Sequence, residues 1–452
     1  MSRLFGTDGV RGVFNVDLTP EVALKLGLAI GSYFGSGSRI IVGNDFRAGS
    51  LSLSNAVISG LLSCGIRVYY AGFTPTPALQ YYIKEKGFDG GVMITASHNP
   101  PQYNGIKVIM DDGIEAPREV EKVIEDYYFS LRFKRVEWRY VLNQVYSVHD
   151  VNDFYVRGVL KLVDKDLISK RGFKVVADLA NNVSSLTTPK LLRELSVKVL
   201  TINGDMSHEP YRTPEPNRES LSDLYKVVTA VGADLGLAHD GDADRVIFID
   251  ELGNFIPGDY SATLLARYLV ERDRDSPKRV VTAVSSSVVV EEVLKPLGVE
   301  VIWTKVGSIG IARLMKRVGA LCGFEENGGF MYPKHQYVRD GAMTIALMLE
   351  YLAKEKTTLS KALSTIPKYY LIKTKVPMDR ERAFRMVEKV KEVYSKHKYI
   401  DIDGVKVFEK DYWFLVRPSG TEPLLRVIVE GRTKGIAEKV LSELMKLIKE
   451  GG

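Results

Sequence analysis

The chain has 452 residues, more than one hydrophobic core organises, so three or four domains are expected. An apolar fraction of 45% with 26% charged residues excludes disordered, collagen-like and membrane-spanning classes. A formal charge of +6, with acids and bases interspersed, is too weak for a nucleic-acid binder and suits small anionic substrates.

Met1 to Gly6 carry no apolar signal region, and no run approaches the length of a membrane span. From residue 39 onward, short Val- and Ile-rich runs alternate with amphipathic helical stretches. Residues 39–43 (RIIVG), 91–95 (GVMIT), 174–178 (KVVAD) and 279–283 (RVVTA) are such runs, and residues 288–297 form a helix-length segment. This alternation predicts α/β domains with largely parallel, buried strands. The basic residues Lys134, Arg135 and Arg139 alternate with Phe133, Val136 and Trp138, and are read as a solvated strand or helix face. A helix over 154–166 leads into a strand at Lys174, which puts a domain boundary at 151. A hairpin signal at 249–253 closes a second unit. Pro367 opens a last unit: a strand over 369–376, a charged helix over 380–396, two strands and a terminal helix. The expected units are therefore 1–151, 152–253, 254–366 and 367–452. Cys64 and Cys322 lie far apart without metal-ligand spacing, as reduced core residues of a cytoplasmic enzyme would.

Four loops carry chemistry. Thr95-Ala96-Ser97-His98-Asn99-Pro100-Pro101 follows the strand GVMIT, and Pro100 forces Asn99 out of the helical region. A serine beside a histidine on such a loop is where an exposed nucleophile sits; flanking glycines of a hydrolase elbow are missing. Asp240-Gly241-Asp242-Ala243-Asp244-Arg245 puts carboxylates at alternate positions, which share one side if the segment is extended. They repel one another unless an oxygen-seeking cation sits among them. A calcium loop is excluded because its sharp turn needs Gly where Arg245 stands, so Mg²⁺ is expected, its shell completed by substrate phosphate. Gly323-Phe324-Glu325-Glu326-Asn327-Gly328-Gly329 offers acceptors and amides suited to sugar hydroxyls, or is a solvated turn. Arg417-Pro418-Ser419-Gly420-Thr421-Glu422-Pro423 offers a guanidinium, hydroxyls and amides for a phosphate dianion. No P-loop pattern exists, so ATP is not the expected phosphate source.

Taken in this order, the loops resemble the α-D-phosphohexomutase superfamily over essentially the whole chain. Residues 5–12 (FGTDGVRG) resemble its opening motif, especially in the phosphoglucosamine mutase branch. The resemblance implies three α/β domains and a smaller C-terminal α+β domain around a central cleft. It implies that Ser97 is a phosphoserine, and that Asp240, Asp242 and Asp244 bind Mg²⁺ together with that phosphate. His98, Arg11, Lys107 and Arg245 would flank the transferring group. Glu325 and Asn327 would bind sugar hydroxyls, and Arg417, Ser419, Gly420 and Thr421 the phosphate not being transferred. Asn327 stands where much of the family has Ser. Ser308 stands where an Asp often follows the glycine of a family loop, which leaves Lys305 a weaker proton-transfer candidate. The implied activity is a hexose-phosphate mutase working through a hexose 1,6-bisphosphate, first of glucosamine phosphate, with a broader phosphomannomutase/phosphoglucomutase as alternative. A magnesium-dependent phosphatase and a non-catalytic sugar-phosphate-binding protein are the rival classes. Expected partners are a small sugar phosphate and, at most, a second copy of the chain (monomer or homodimer), with no nucleic acid or membrane.

Overall fold

The computed structural model describes residues 4–6, 8–420 and 422–450. They form four sheets in chain order. In the first sheet, Arg39–Asn44 lies between Arg67–Phe73 and Gly90–Ile94, parallel to both. Tyr103–Met110 then returns antiparallel beside Gly90–Ile94, and Val10–Val13 adds antiparallel to it. The second sheet repeats this plan. Lys174–Asp178 is parallel to Lys198–Ile202 and Leu235–His239, and Val246–Ile249 returns antiparallel against the latter. The third sheet pairs Arg279–Ala283 parallel with Glu300–Thr304 and Cys322–Phe324, and Phe330–Met331 turns back. The sheets are therefore mixed rather than largely parallel. Each turn back follows a loop too short for a crossover helix.

Several expectations shift locally. The expected hairpin forms, but its second strand, Phe255–Ile256, belongs to the second sheet and lies beyond residue 253. The helix over 154–166 is two helices, Val151–Leu160 and Lys165–Arg171, the second capped by Asp164 accepting from Leu167 N–H at 2.9 Å. Residues 131–137 are irregular rather than a strand or helix face, with Lys134 and Arg135 against the rings of Tyr127 and Phe133. In the last unit the charged helix ends at Val393. Four strands follow it where two were expected, making with Tyr370–Pro377 a wholly antiparallel sheet.

One hydrophobic core runs through the first three units, from Ile41 and Leu79 through Tyr155 and Leu235 to Leu264 and Phe324. Its axle is Gly341–Lys354, a helix apolar on every side (GAMTIALMLEYLAK) and therefore buried on every side. Asp340 caps it, accepting from Met343 N–H at 3.0 Å. The last unit has its own core, and touches the third through a small cluster of Trp303, Val284, Trp413, Leu415 and Ile428. Cys64 and Cys322 are both buried free thiols. Among the described residues, no helix is long and apolar enough to cross a membrane.

Candidate active site

The turns after Gly90–Ile94 and Leu235–His239 face each other across the junction of the first two units. Ser97 sits in the left-handed region, φ 50°, and is wholly buried rather than exposed as expected. Its Oγ donates to Asp240 Oδ2 at 2.8 Å and lies 3.4 Å from His98 Nδ1. The two loops are nearly in backbone contact: a Cβ on Gly241 would fall 2.5 Å from Ser97 O. Only glycine lets them close that far.

Asp240, Asp242 and Asp244 are buried, with one oxygen of each within 4.8 Å of the others. The segment is not extended. It turns, with Ala243 at φ 61°, and the turn rather than strand alternation makes the carboxylates converge. Thr76 and Lys107 fix Asp242, donating to its Oδ2 at 2.6 and 3.1 Å. Thr76 is the first residue of the helix Thr76–Lys86, whose N-terminus favours a carboxylate. Asp242 Oδ1 and Asp244 Oδ1 are buried without a hydrogen-bond partner among the described residues, while Asp244 Oδ2 faces the Arg339 guanidinium. Such an all-oxygen, partly unsatisfied set fits a small hard cation.

Charge is dense here. Burial, reinforced by Asp244 and Asp242, holds the Asp240 carboxyl well above the usual carboxylate range. Burial would raise Asp242 too, but Lys107 and Thr76 outweigh it and the net shift is downward. Lys107 is buried, yet Asp242, Asp8 and Asp244 together raise its pKa and keep it charged. The Arg245 guanidinium, with burial and then Arg11 and Arg339, drives His98 far below its ordinary value, so that ring is neutral. Arg245 is held by Glu215, with both carboxylate oxygens 3.0 Å from Nη1. Arg11 donates to Asn99 Oδ1 and lies 2.5 Å from Asp8 Oδ2.

The Glu325 to Gly329 loop is seated against the metal loop's strand, because Val246 N–H donates to Gly328 O at 3.1 Å. Glu325 is buried and takes Arg339 Nη1 at 3.1 Å. Asn327 Oδ1 accepts from Gly329 N–H at 3.1 Å, so the carbonyl end of the side chain, not its amide nitrogen, holds this turn.

Residues 2–135, 153–253, 257–370 and 371–447 match, in turn, domains I, II, III and the C-terminal domain described as phosphoglucomutase/phosphomannomutase. The chain belongs to the phosphoglucomutase/phosphomannomutase family. Among its relatives, a phosphoglucosamine/phosphogalactosamine mutase of Sulfurisphaera tokodaii is 51% identical, over 99% of each chain. A phosphoglucomutase/phosphomannomutase of Thermococcus kodakarensis is 41% identical over 100% of this chain and 99% of its own. In fold, a solved family protein from Burkholderia thailandensis superposes with a TM-score of 0.87 at 23% identity, covering 99% of this chain and 97% of its own.

Within this family fold, the fourth loop is more exposed. Arg417 and Pro418 end the strand Tyr412–Pro418, Ser419 is buried, Gly420 is exposed, and Thr421 lies outside the described residues. Arg417 pairs with Asp403 at 3.0 Å, and Asp403 also takes Val306 N–H at 3.1 Å. That contact brings the segment containing Lys305 to the fourth loop; Lys305 itself is exposed. Sequence reading missed Asp403, Glu215, Thr76, Asp8 and Arg339. Asp8 lies within the opening motif that was read. Arg339 is the most consequential: buried, it stands 2.5 Å from Asp244 and 3.1 Å from Glu325, joining the triple-aspartate loop to the Glu325 to Gly329 loop. Its only sequence signal is a position just before the helix cap Asp340.

Proposed function

We propose that the chain is a hexose-phosphate mutase that moves a phosphoryl group between the 6- and 1-positions of a sugar. The observation carrying this reading is Ser97 Oγ donating to one of three buried, converging carboxylates. Ser97 would carry the phosphate, and Asp240, Asp242 and Asp244 would hold Mg²⁺. When bound, the ion supplies positive charge beside the phosphoryl oxygens. In the first half-reaction, the bond from Ser97 Oγ to phosphorus breaks and a bond from a hexose monophosphate hydroxyl forms. That hydroxyl's proton ends on Ser97 Oγ, and the product is a hexose 1,6-bisphosphate. The bisphosphate turns around, and its other phosphate returns to Ser97. A phosphoserine brings about −1.5 to −2 charge near neutral pH, so Lys107, Arg11, Arg245 and Arg339 are needed as counter-charges. Catalysis is then positioning and charge stabilisation. Glu325 and Asn327 would hold the sugar, and Arg417, Ser419, Gly420 and Thr421 the idle phosphate.

Glucosamine phosphate is the favoured substrate. A relative 51% identical is named a phosphoglucosamine/phosphogalactosamine mutase, and buried Glu325 would attract a 2-ammonium group. The 41% identical phosphoglucomutase/phosphomannomutase supports a broad enzyme as the second reading. The test is a panel of glucosamine, glucose and mannose 6-phosphates with bisphosphate activator, following isomer and inorganic phosphate. Isomer without phosphate release, fastest with glucosamine phosphate, is expected. Net phosphate release would make the protein a phosphatase, and binding without either product a non-catalytic sugar-phosphate binder.

A further inference from the structure

The serine loop converges on a guanidinium that no motif announced. Arg47 Nη1 donates to Pro100 O at 2.9 Å and Tyr103 O at 3.2 Å. Nη2 donates to Ser97 O and, at 2.9 Å, to Asn99 O, while Nε donates to Asp45 Oδ2 at 3.1 Å. A guanidinium has five N–H donors, and all of them are engaged within the protein. Arg47 is buried and Asp45 wholly so. With no donor left over, Arg47 is not a substrate-binding arginine.

Asp45 completes the grip from the other side. Its Oδ2 accepts from Thr95 Oγ1 at 2.6 Å, and Thr95 Oγ1 in turn accepts from Ser97 N–H at 2.9 Å. Both ends of the Ser97 residue are thus tied to one ion pair, the carbonyl through Arg47 and the amide through Thr95 and Asp45. The left-handed backbone at Ser97 is costly for a residue with a Cβ and must be imposed from outside. Arg47 Nη2 would also lie 3.2 Å from a Cβ at Gly241, so the clamp sits where the serine and metal loops meet.

We propose that Asp45 and Arg47 are positioning residues that hold Ser97 in its reactive backbone conformation against the metal loop. The proposal rests on Ser97 being the phosphoryl carrier. The planar fork, rather than the charge alone, holds the loop, because a lysine is a point charge and cannot serve the same carbonyls at once.

The experiment compares wild type, Arg47→Lys and Asp45→Asn by thermal melting, steady-state kinetics and the rate at which hexose 1,6-bisphosphate phosphorylates Ser97. Arg47→Lys retains the charge opposite Asp45 and most of the stability. Its kcat per folded molecule should fall about a hundredfold, with KM changed less than about threefold, as expected for a misplaced reacting atom. Phosphorylation of Ser97 should slow in parallel, and Asp45→Asn should show the same pattern more weakly. Lysine restoring kcat along with stability would overturn the clamp and leave a merely structural ion pair. Should neither variant fold, hydrogen exchange on the wild type decides: protection of the Ser97 amide at the global level supports the clamp, and rapid exchange refutes it. A wild-type protein not phosphorylated on Ser97 would instead sink the mutase reading itself.

Discussion

The junction between the first two units and the junction between the last two are built on opposite principles. At the first, Ser97, the aspartates and their cations lie almost wholly buried, each placed by several partners, while Asp242 and Asp244 keep unsatisfied oxygens. At the second, two tryptophans and aliphatic side chains enclose one lysine, and the functional candidate Arg417 stands on the rim with one ion-pair partner. A polar site dense in like charges has to be pre-organised, because reorganising buried charges during reaction is expensive. On the proposed function, an apolar joint with Arg417 on its rim would leave room for a bisphosphate to be released, turned and caught again. That reading would place the chemistry at the first junction and the grip at the second.

Removing the nucleophile should have the largest effect. Ser97→Ala loses the atom proposed to accept phosphate, so nearly all mutase activity should vanish while the fold survives. One hydrogen bond, worth about 1 kcal/mol, goes with it. Intact mass on active wild type should find one phosphate on the Ser97 peptide, and full activity in the variant would abolish the assignment. Asp242→Asn comes next. It preserves shape and the bond from Thr76, but removes charge from the metal set, so Mg²⁺ affinity by calorimetry should weaken roughly tenfold or more, with turnover falling alongside. Unchanged Mg²⁺ affinity would mean that the metal sits elsewhere.

The sequence disclosed the loops of the first junction because their chemistry is contiguous: Asp240, Asp242 and Asp244 are neighbours, and Ser97 adjoins His98. It misjudged how they are presented. Alternation would align the acids only in an extended segment, whereas a left-handed Ala243 makes a turn, and Ser97 is buried by an acidic loop far away in sequence. Arg47, Glu215, Arg339 and Asp403 stayed illegible for one reason. Each is a single charged residue in an unremarkable local setting, and only tertiary packing brings it to its carbonyls or carboxylates. The parallel pairing of the named runs was legible but the antiparallel returns were not, since a short link between apolar runs implies such a return only once both runs are known to share a sheet.

Arg417→Ala probes the grip. Hydrogen bonds to a charged group contribute about 1.5–3 kcal/mol, so KM for the sugar phosphate should rise at least about tenfold. Ser97 should still accept phosphate from the bisphosphate, more slowly. Asp403 is partly exposed and keeps Val306 N–H, so losing its arginine should not unfold the unit. A fall in kcat with KM unchanged would move Arg417 from the grip to the chemistry and blur the contrast between the junctions.

The smallest effect is expected from Lys406, at the heart of the apolar joint. Its Nζ donates to Ser286 O at 2.6 Å and lies 3.9 Å from the ring centroids of both Trp303 and Trp413. Burial pulls its pKa down to about 7, against the opposing pull of Glu430, Glu291, Asp259 and Glu326. Below pH 7 the lysine is charged in both folded and unfolded chains, and the folded state bears the full cost of burying it. Between about 7 and the ordinary lysine value the unfolded chain binds more protons, so stability from this group rises with pH. Asp259, raised by burial to about 7, acts in the opposite sense and in a lower window, from its ordinary value up to 7. Lys406→Met keeps an unbranched side chain between the indoles and removes the titration. The variant should therefore melt a few degrees above wild type at pH 6, consistent with replacing a buried charge by an apolar group. That advantage should shrink steadily between pH 7 and 10. A difference that does not change with pH would mean that Glu430 and the two indole faces keep the ammonium charged throughout, making this joint as electrostatically committed as the catalytic one.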